Sequence, residues 1–175
     1  MTSRILSRTT LYRVALALCC ALASPLLSAQ RVPASKADRV LVLKHQRVLR
    51  LLHGGELIRE YKVALGGSPV GPKTRQGDHK TPEGVYVLDA RNPHSQYYKS
   101  LHISYPNPAQ RRAARKHGVS AGGDVFIHGL PNGYRAVGAA HRLRDWTDGC
   151  IAVTDEEMDE IWEAVPNGVA VEIRP

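Results

Sequence analysis

Thr147-Asp148-Gly149-Cys150-Ile151-Ala152-Val153, read together with Phe126-Ile127-His128-Gly129 upstream, decides how this chain folds and what chemistry it offers. Each stretch carries a short apolar run of strand composition; one closes on a histidine and the other opens on a thiol. If the two strands are neighbours, imidazole and thiol point into one cleft. The sequence has three cysteines, and Cys19 and Cys20 lie in an apolar N-terminal stretch that reads as a secretion signal. Cys150 is then the single thiol of an exported protein, with no partner inside the chain. A leftover cysteine in an oxidising compartment points to intermolecular pairing or to a reactive thiol. The bland reading is a buried cysteine that packs as a small hydrophobe.

Residues 1–13 carry Arg4, Arg8 and Arg13 and no acid; Val14 to Ala23 is almost wholly apolar, and small residues follow at Ser24, Ser28 and Ala29. This is the order of a secretory signal over residues 1–29, with cleavage after Ala23 or Ala29. The apolar core is shorter than the ~20 residues of a spanning helix, which favours removal over anchoring. Residues 30–38 form a short polar arm, and 39–175 suit one catalytic domain with a real core. Losing three arginines lowers the formal charge from +8 to +5, still basic. Export argues against nucleic acid as partner. A cationic surface in the cell envelope favours anionic polymers such as carboxylate-rich peptide stems, or serves only solubility.

Along the domain, Val40–Lys44 and Arg47–Leu52 fit a hairpin, Gly54-Gly55 makes the next turn, and Leu57–Leu65 alternates as a third strand. Residues 66–82 are rich in Gly, Pro, Lys and Thr and form a long loop, of a length that is often functional. Gly84–Ala90, Ser100–Tyr105, Asp124–His128, Cys150–Val153 and Gly168–Ile173 read as further strands. Asn107 and Pro108 open a helix that ends near Gly118, with a basic face; Thr154 to Glu157 is a capping box that opens a second, through Ala164. The class is mainly β with a few short helices, and not an alternating βα architecture.

A thiol attacks carbonyls as thiolate, and a free cysteine has a pKa near ~8.5, so a neighbouring imidazolium is expected to stabilise the anion. The same imidazole then returns a proton to a leaving amine. Gly149 lets the backbone approach closely, and the amides of Gly149 and Cys150 are candidate donors to a developing oxyanion. His128 is favoured as the base because it ends a strand and precedes a glycine; His141 is its rival.

Val63-Ala64-Leu65-Gly66, Lys80-Thr81-Pro82-Glu83-Gly84-Val85-Tyr86, Phe126-Ile127-His128-Gly129 and Gly149-Cys150-Ile151 run in order across nearly the whole domain. The ordered set resembles an L,D-transpeptidase catalytic domain of the YkuD family, enzymes of bacterial peptidoglycan. The resemblance implies a YkuD-like β-sandwich, location in the periplasm or cell envelope, and a cysteine acyl-enzyme. In that family the thiol attacks a peptide stem at the L-centre of its third residue, usually diaminopimelate. The terminal D-alanine leaves, and a second amine takes the acyl group. Carried onto this chain, Cys150 is the nucleophile, His128 the general base and acid, Gly129 the carbonyl that orients it, and Gly149 part of the oxyanion pocket.

Two departures stand out. Asp148 occupies the place of the family's second histidine, and an anion there opposes thiolate formation unless a cation or imidazole binds it. The 22-residue interval from His128 to Cys150 is also longer than usual by a few residues. That interval carries Tyr134, Arg142 and Arg144 as candidate substrate-binding residues, the arginines for a carboxylate, or Arg144 as a plain partner of Asp145 or Asp148. Trp146 is expected in the core. Expected partners are peptidoglycan stems and an envelope protein as acceptor or linked substrate, with a monomer and no cofactor. Alternatives are an L,D-carboxypeptidase or amidase that gives the acyl group to water, and a non-catalytic wall-binding protein. A zinc site on Cys150 with His128 or His141 lacks a clear third ligand.

Overall fold

A computed structural model describes residues 36–175; the expected signal segment lies outside the described residues. Strands β1 (Arg39–Leu43), β2 (Val48–His53) and β3 (Glu56–Lys62) form an antiparallel meander, followed after the long loop by β4 (Gly84–Ser95) and β5 (Tyr98–Ile103). Helix α1 (Pro108–Lys116) leads to β6 (Val125–His128), and a 3₁₀ segment (Arg135–Leu143) to β7 (Ile151–Ala152). Helix α2 (Asp155–Ala164) and β8 (Ala170–Arg174) complete the chain. The strand order is β3-β2-β1-β8-β4-β5-β6-β7.

β4 is shared between two halves of this sheet. Gly84 to Val87 pair with β8, and from Leu88 onward the strand pairs with β5 across a register shift. Such a bulge bends and twists a strand, and here it turns one half over the other. The opposite side is closed by the chain that follows β3. Ala64 exchanges both backbone hydrogen bonds with Ala152, at 3.0 and 2.9 Å, and Gly66 bridges to Thr147. The two edges that would otherwise stay open are thereby stitched together, which protects them from foreign pairing. Between the halves lie Val40, Val42, Leu49, Leu51, Leu88, Leu101, Ile103, Ile127 and Ile151, with Met158 and Ile161 of α2 packed against them.

The expected strands appear within a few residues of their anticipated bounds. Both helices carry their capping boxes, Asn107 with Gln110 and Thr154 with Glu157. Three differences have physical causes. β3 ends at Lys62 because residues 63–66 leave β2 to reach Ala152 and Thr147. β4 runs on to Ser95 because Arg91 and Asn92 find partners on β5 despite their polarity. The 3₁₀ segment has no side-chain cap at its start to announce it, and Gly138 breaks it at φ 48°, ψ −138°.

Ile151 is fully buried where the two halves meet, whereas Leu57 is 55% exposed. Ile151→Ala is expected to cost about 2–5 kcal/mol in urea denaturation, and Leu57→Ala about 0.5 kcal/mol or less.

Candidate active site

β6 and β7 are adjacent and parallel, with Ile127 opposite Ile151 and His128 opposite Ala152. Side chains alternate along a strand, so burying Ile127 and Ile151 turns Phe126, His128 and Cys150 to the other face. Cys150 stands level with Phe126, one diagonal step from His128, and diagonal neighbours on a sheet face lie roughly 7–8 Å apart. Both residues line one cleft of about 440 Å³. Its remaining walls are the β4–β5 hairpin (Asn92, Ser95, Gln96, Tyr97), Ser100, Asp124, and Trp146 to Asp148.

The imidazole is held firmly. His128 is 3% exposed, and its Nδ1 lies 2.6 Å from the Gly129 carbonyl oxygen. A carbonyl only accepts, so Nδ1 carries the proton and Nε2 presents its lone pair. The ring packs against Tyr97 at 4.5 Å and Trp146 at 5.8 Å between centroids. Gly129 is a glycine for want of space: a Cβ there would lie 2.6 Å from Asp155 Oδ1, the atom that accepts the Leu130 N–H.

Burial dominates the electrostatics. It pushes His128 from its ordinary 6.5 down to about 4, against the opposing pull of the Gly129 carbonyl. Burial likewise pushes the Cys150 thiol up to about 11; the Phe126 N–H and Lys73 oppose this, while Asp148 and Asp124 add to it. The thiol donates to the Asp124 carbonyl at 3.6 Å. At rest the pair is thus neutral thiol and neutral imidazole, in place of the expected thiolate and imidazolium, because the cleft desolvates both charges.

The segment bearing the thiol is clasped by the loop before β4. Gly149 has φ +129°, and a Cβ on it would lie 2.5 Å from the Lys80 carbonyl oxygen. Its amide donates to Thr147 Oγ1 at 3.1 Å, and that hydroxyl donates to the Cys150 carbonyl at 2.8 Å. In the resting structure the Gly149 amide, expected to serve an oxyanion, is engaged by Thr147, and the glycine permits close approach of the Lys80 carbonyl. Lys73, buried in the loop, reaches Asp78 at 2.8 Å and the Asp148 carbonyl at 3.4 Å.

With this geometry in view, comparison with known proteins is specific. Residues 37–173 match the family model described as YkuD, L,D-transpeptidase catalytic domain. The chain belongs to the YkuD family. It is 34% identical over 113 residues to YafK of Escherichia coli (strain K12), covering 63% of this chain and 38% of YafK. Among solved structures it is similar to the helical cell shape determining protein Pgp2 from Campylobacter jejuni, with TM-score 0.60, 27% identity, and 80% and 48% of the two chains covered. Bd1075 of Bdellovibrio bacteriovorus follows at TM-score 0.55 and 25% identity, with 81% and 49% covered. The chain spans well under half of YafK and about half of each of these structures.

Within this YkuD domain the other expected site residues lie elsewhere. His141 is buried on the far side of Trp146, where its Nδ1 accepts from the indole N–H at 3.4 Å; it does not line the thiol cleft. Arg142 is paired with Glu157 on α2, so its guanidinium is committed to structure. Tyr134 and Arg144 line a neighbouring groove and not the cleft. Neither acid suggested for Arg144 takes it, since Asp145 binds Arg47 at 2.8 Å and Asp148 binds His79 Nδ1 at 2.6 Å. Trp146 is half-buried and walls the cleft instead of filling the core. Among the described residues no three His, Cys, Asp or Glu side chains converge on a metal-sized point. Sequence reading missed Tyr97, Lys73 and His79. Only the loop's length hinted at the last two, and nothing in the hairpin marked Tyr97.

His128 and His141 are both lowered to about 4, chiefly by burial. Between that value and the ordinary 6.5 the unfolded chain binds protons that the folded chain refuses, so stability falls as pH drops through this window. Each histidine costs at most about 1.4 kcal/mol per pH unit there. Urea midpoints from pH 7 to pH 4.5 should decline, and His128→Gln should make the decline shallower.

Proposed function

We propose that this domain is an exported L,D-transpeptidase that acts on peptidoglycan peptide stems through a thioester on Cys150. The observation that carries the reading is the placement of Cys150 and His128 on one face of paired parallel strands, with the imidazole's Nδ1 tied to the Gly129 carbonyl. Family membership and the likeness to a protein named for cell shape support the substrate class. Among the described residues no helix is long and apolar enough to cross a membrane.

The chemistry follows from the neutral resting pair. As Sγ attacks the carbonyl carbon of the stem's third residue, its proton passes to His128 Nε2. The imidazolium forms only during the step, and the Gly129 carbonyl then stabilises it. The tetrahedral oxyanion takes the Cys150 amide, since that of Gly149 is engaged. His128 returns the proton to the departing D-alanine nitrogen as the C–N bond breaks, leaving the thioester. An acceptor amine attacks that thioester and loses a proton to His128; the C–S bond breaks, and His128 passes the proton to the departing sulfur to restore the thiol. Tyr97 and Trp146, packed on the imidazole, keep it aligned and limit water around it. An envelope protein bearing an amine is a fitting alternative acceptor.

Purified protein incubated with disaccharide-tetrapeptide and followed by mass spectrometry should give cross-linked dimer with loss of D-alanine. Cys150→Ala should give none, and His128→Ala should be slower by about 100-fold or more. Tripeptide monomer alone would assign a hydrolase, and unchanged substrate would contradict the proposal.

A further inference from the structure

The place where this chain departs from the family pattern is the residue two before the thiol. Asp148 lines the cleft, adds to the upward push on the Cys150 thiol, and is itself 88% exposed. Left alone, its carboxylate would oppose every step in which sulfur gains negative charge. It is not left alone. His79, from the loop before β4, sets its Nδ1 at 2.6 Å from Asp148 Oδ1.

The backbone at His79 is held at unusual cost. Its φ is +53°, in the left-handed region that glycine occupies freely and a residue with a side chain enters less often. Neighbouring contacts enforce this conformation. The His79 carbonyl accepts the Ser68 N–H at 2.9 Å, and a Cβ on Gly66 would lie 2.3 Å from the same oxygen. On the next residue, the Lys80 carbonyl presses against Gly149. The loop is thus locked onto the Asp148-Gly149-Cys150 segment, and a side chain at position 79 has Asp148 as its side-chain partner. Strain of this kind persists where surroundings over-determine it, and it concentrates at functional sites.

We propose that His79 is a positioning residue of the active site: its imidazole engages Asp148 and thereby weakens the repulsion that this carboxylate exerts on Cys150. The loop then supplies, from residue 79, the imidazole that the family pattern places at position 148. The other charged groups around the thiol do not do this work. Lys73 favours the thiolate from a distance, but its ammonium is bonded to Asp78 and to the Asp148 carbonyl and not to the Asp148 carboxylate. Asp124 adds repulsion of its own. His128, on β6, shares the cleft with the thiol and is neutral.

The proposal rests on Cys150 being the nucleophile, but its test reads the thiol directly and needs no peptidoglycan reaction. The rate of iodoacetamide alkylation at Cys150 is followed by mass spectrometry of its peptide in the full-length chain, across pH 6–10. His79→Gly relieves the backbone while deleting the imidazole. It is expected to leave Tm unchanged or higher, yet to slow alkylation about two- to fivefold and move the profile to higher pH. His79→Asn, which tolerates left-handed backbone and keeps a donor, should restore most of the rate. Asp148→Asn should speed alkylation, and adding His79→Gly to it should change nothing further. Equal slowing by His79→Gly in the Asp148→Asn background would overturn the proposal, as would an unchanged profile in the single variant.

Discussion

The parallel pairing of Ile127 with Ile151 is the constraint on which the site depends. Both isoleucines are fully buried, so a slip of one residue would turn an isoleucine out of the core and bring its strand neighbours, His128 or Cys150 among them, inward. The register that satisfies the core therefore also puts His128 and Cys150 on the opposite face. β7 is only two residues long and could not hold that register by itself. The reciprocal bonds between Ala64 and Ala152 hold it from the other side, which makes the chain after β3 part of the active-site scaffold.

Burial by this scaffold also sets the electrostatic character of the cleft. A preformed ion pair would carry two charges in a poorly solvated space, at a cost that only ideal pairing repays. In the proposed mechanism, proton transfer coupled to attack avoids that cost, since charge appears only during the step. The same logic gives meaning to the environment of Asp148. A carboxylate beside a neutral thiol does little harm at rest, but it matters as the sulfur becomes anionic.

Much of the fold was legible in the sequence because its signals are local. Asn107 and Thr154 announce their helices through capping boxes, and the apolar runs around His128 and Cys150 have strand composition. The proposed catalytic pair was legible for a different reason: chemically distinctive residues sit at the ends of those runs. What the sequence hid is relational. Residues 63–65 read as a continuation of β3, and only closure of the sheet sends them to Ala152. The hairpin around Tyr97 is polar and gives no hint that it covers an imidazole. Arg142 and Arg144 looked like anion grips, but the first finds Glu157 and the second faces a separate groove. No spacing rule connects His79 with Asp148, 69 positions apart, although the length of that loop marked it as more than a connector.

The central claim is that His128 rests as a neutral imidazole, with its proton on Nδ1 and its Nε2 unprotonated, in the cleft it shares with the thiol. Nitrogen-15 NMR of the histidine side chains across pH measures charge and tautomer together. The account predicts a His128 ring that is neutral and Nδ1-protonated at pH 7 and gains charge only near pH 4. An imidazolium at pH 7, or a neutral ring protonated on Nε2, would contradict it.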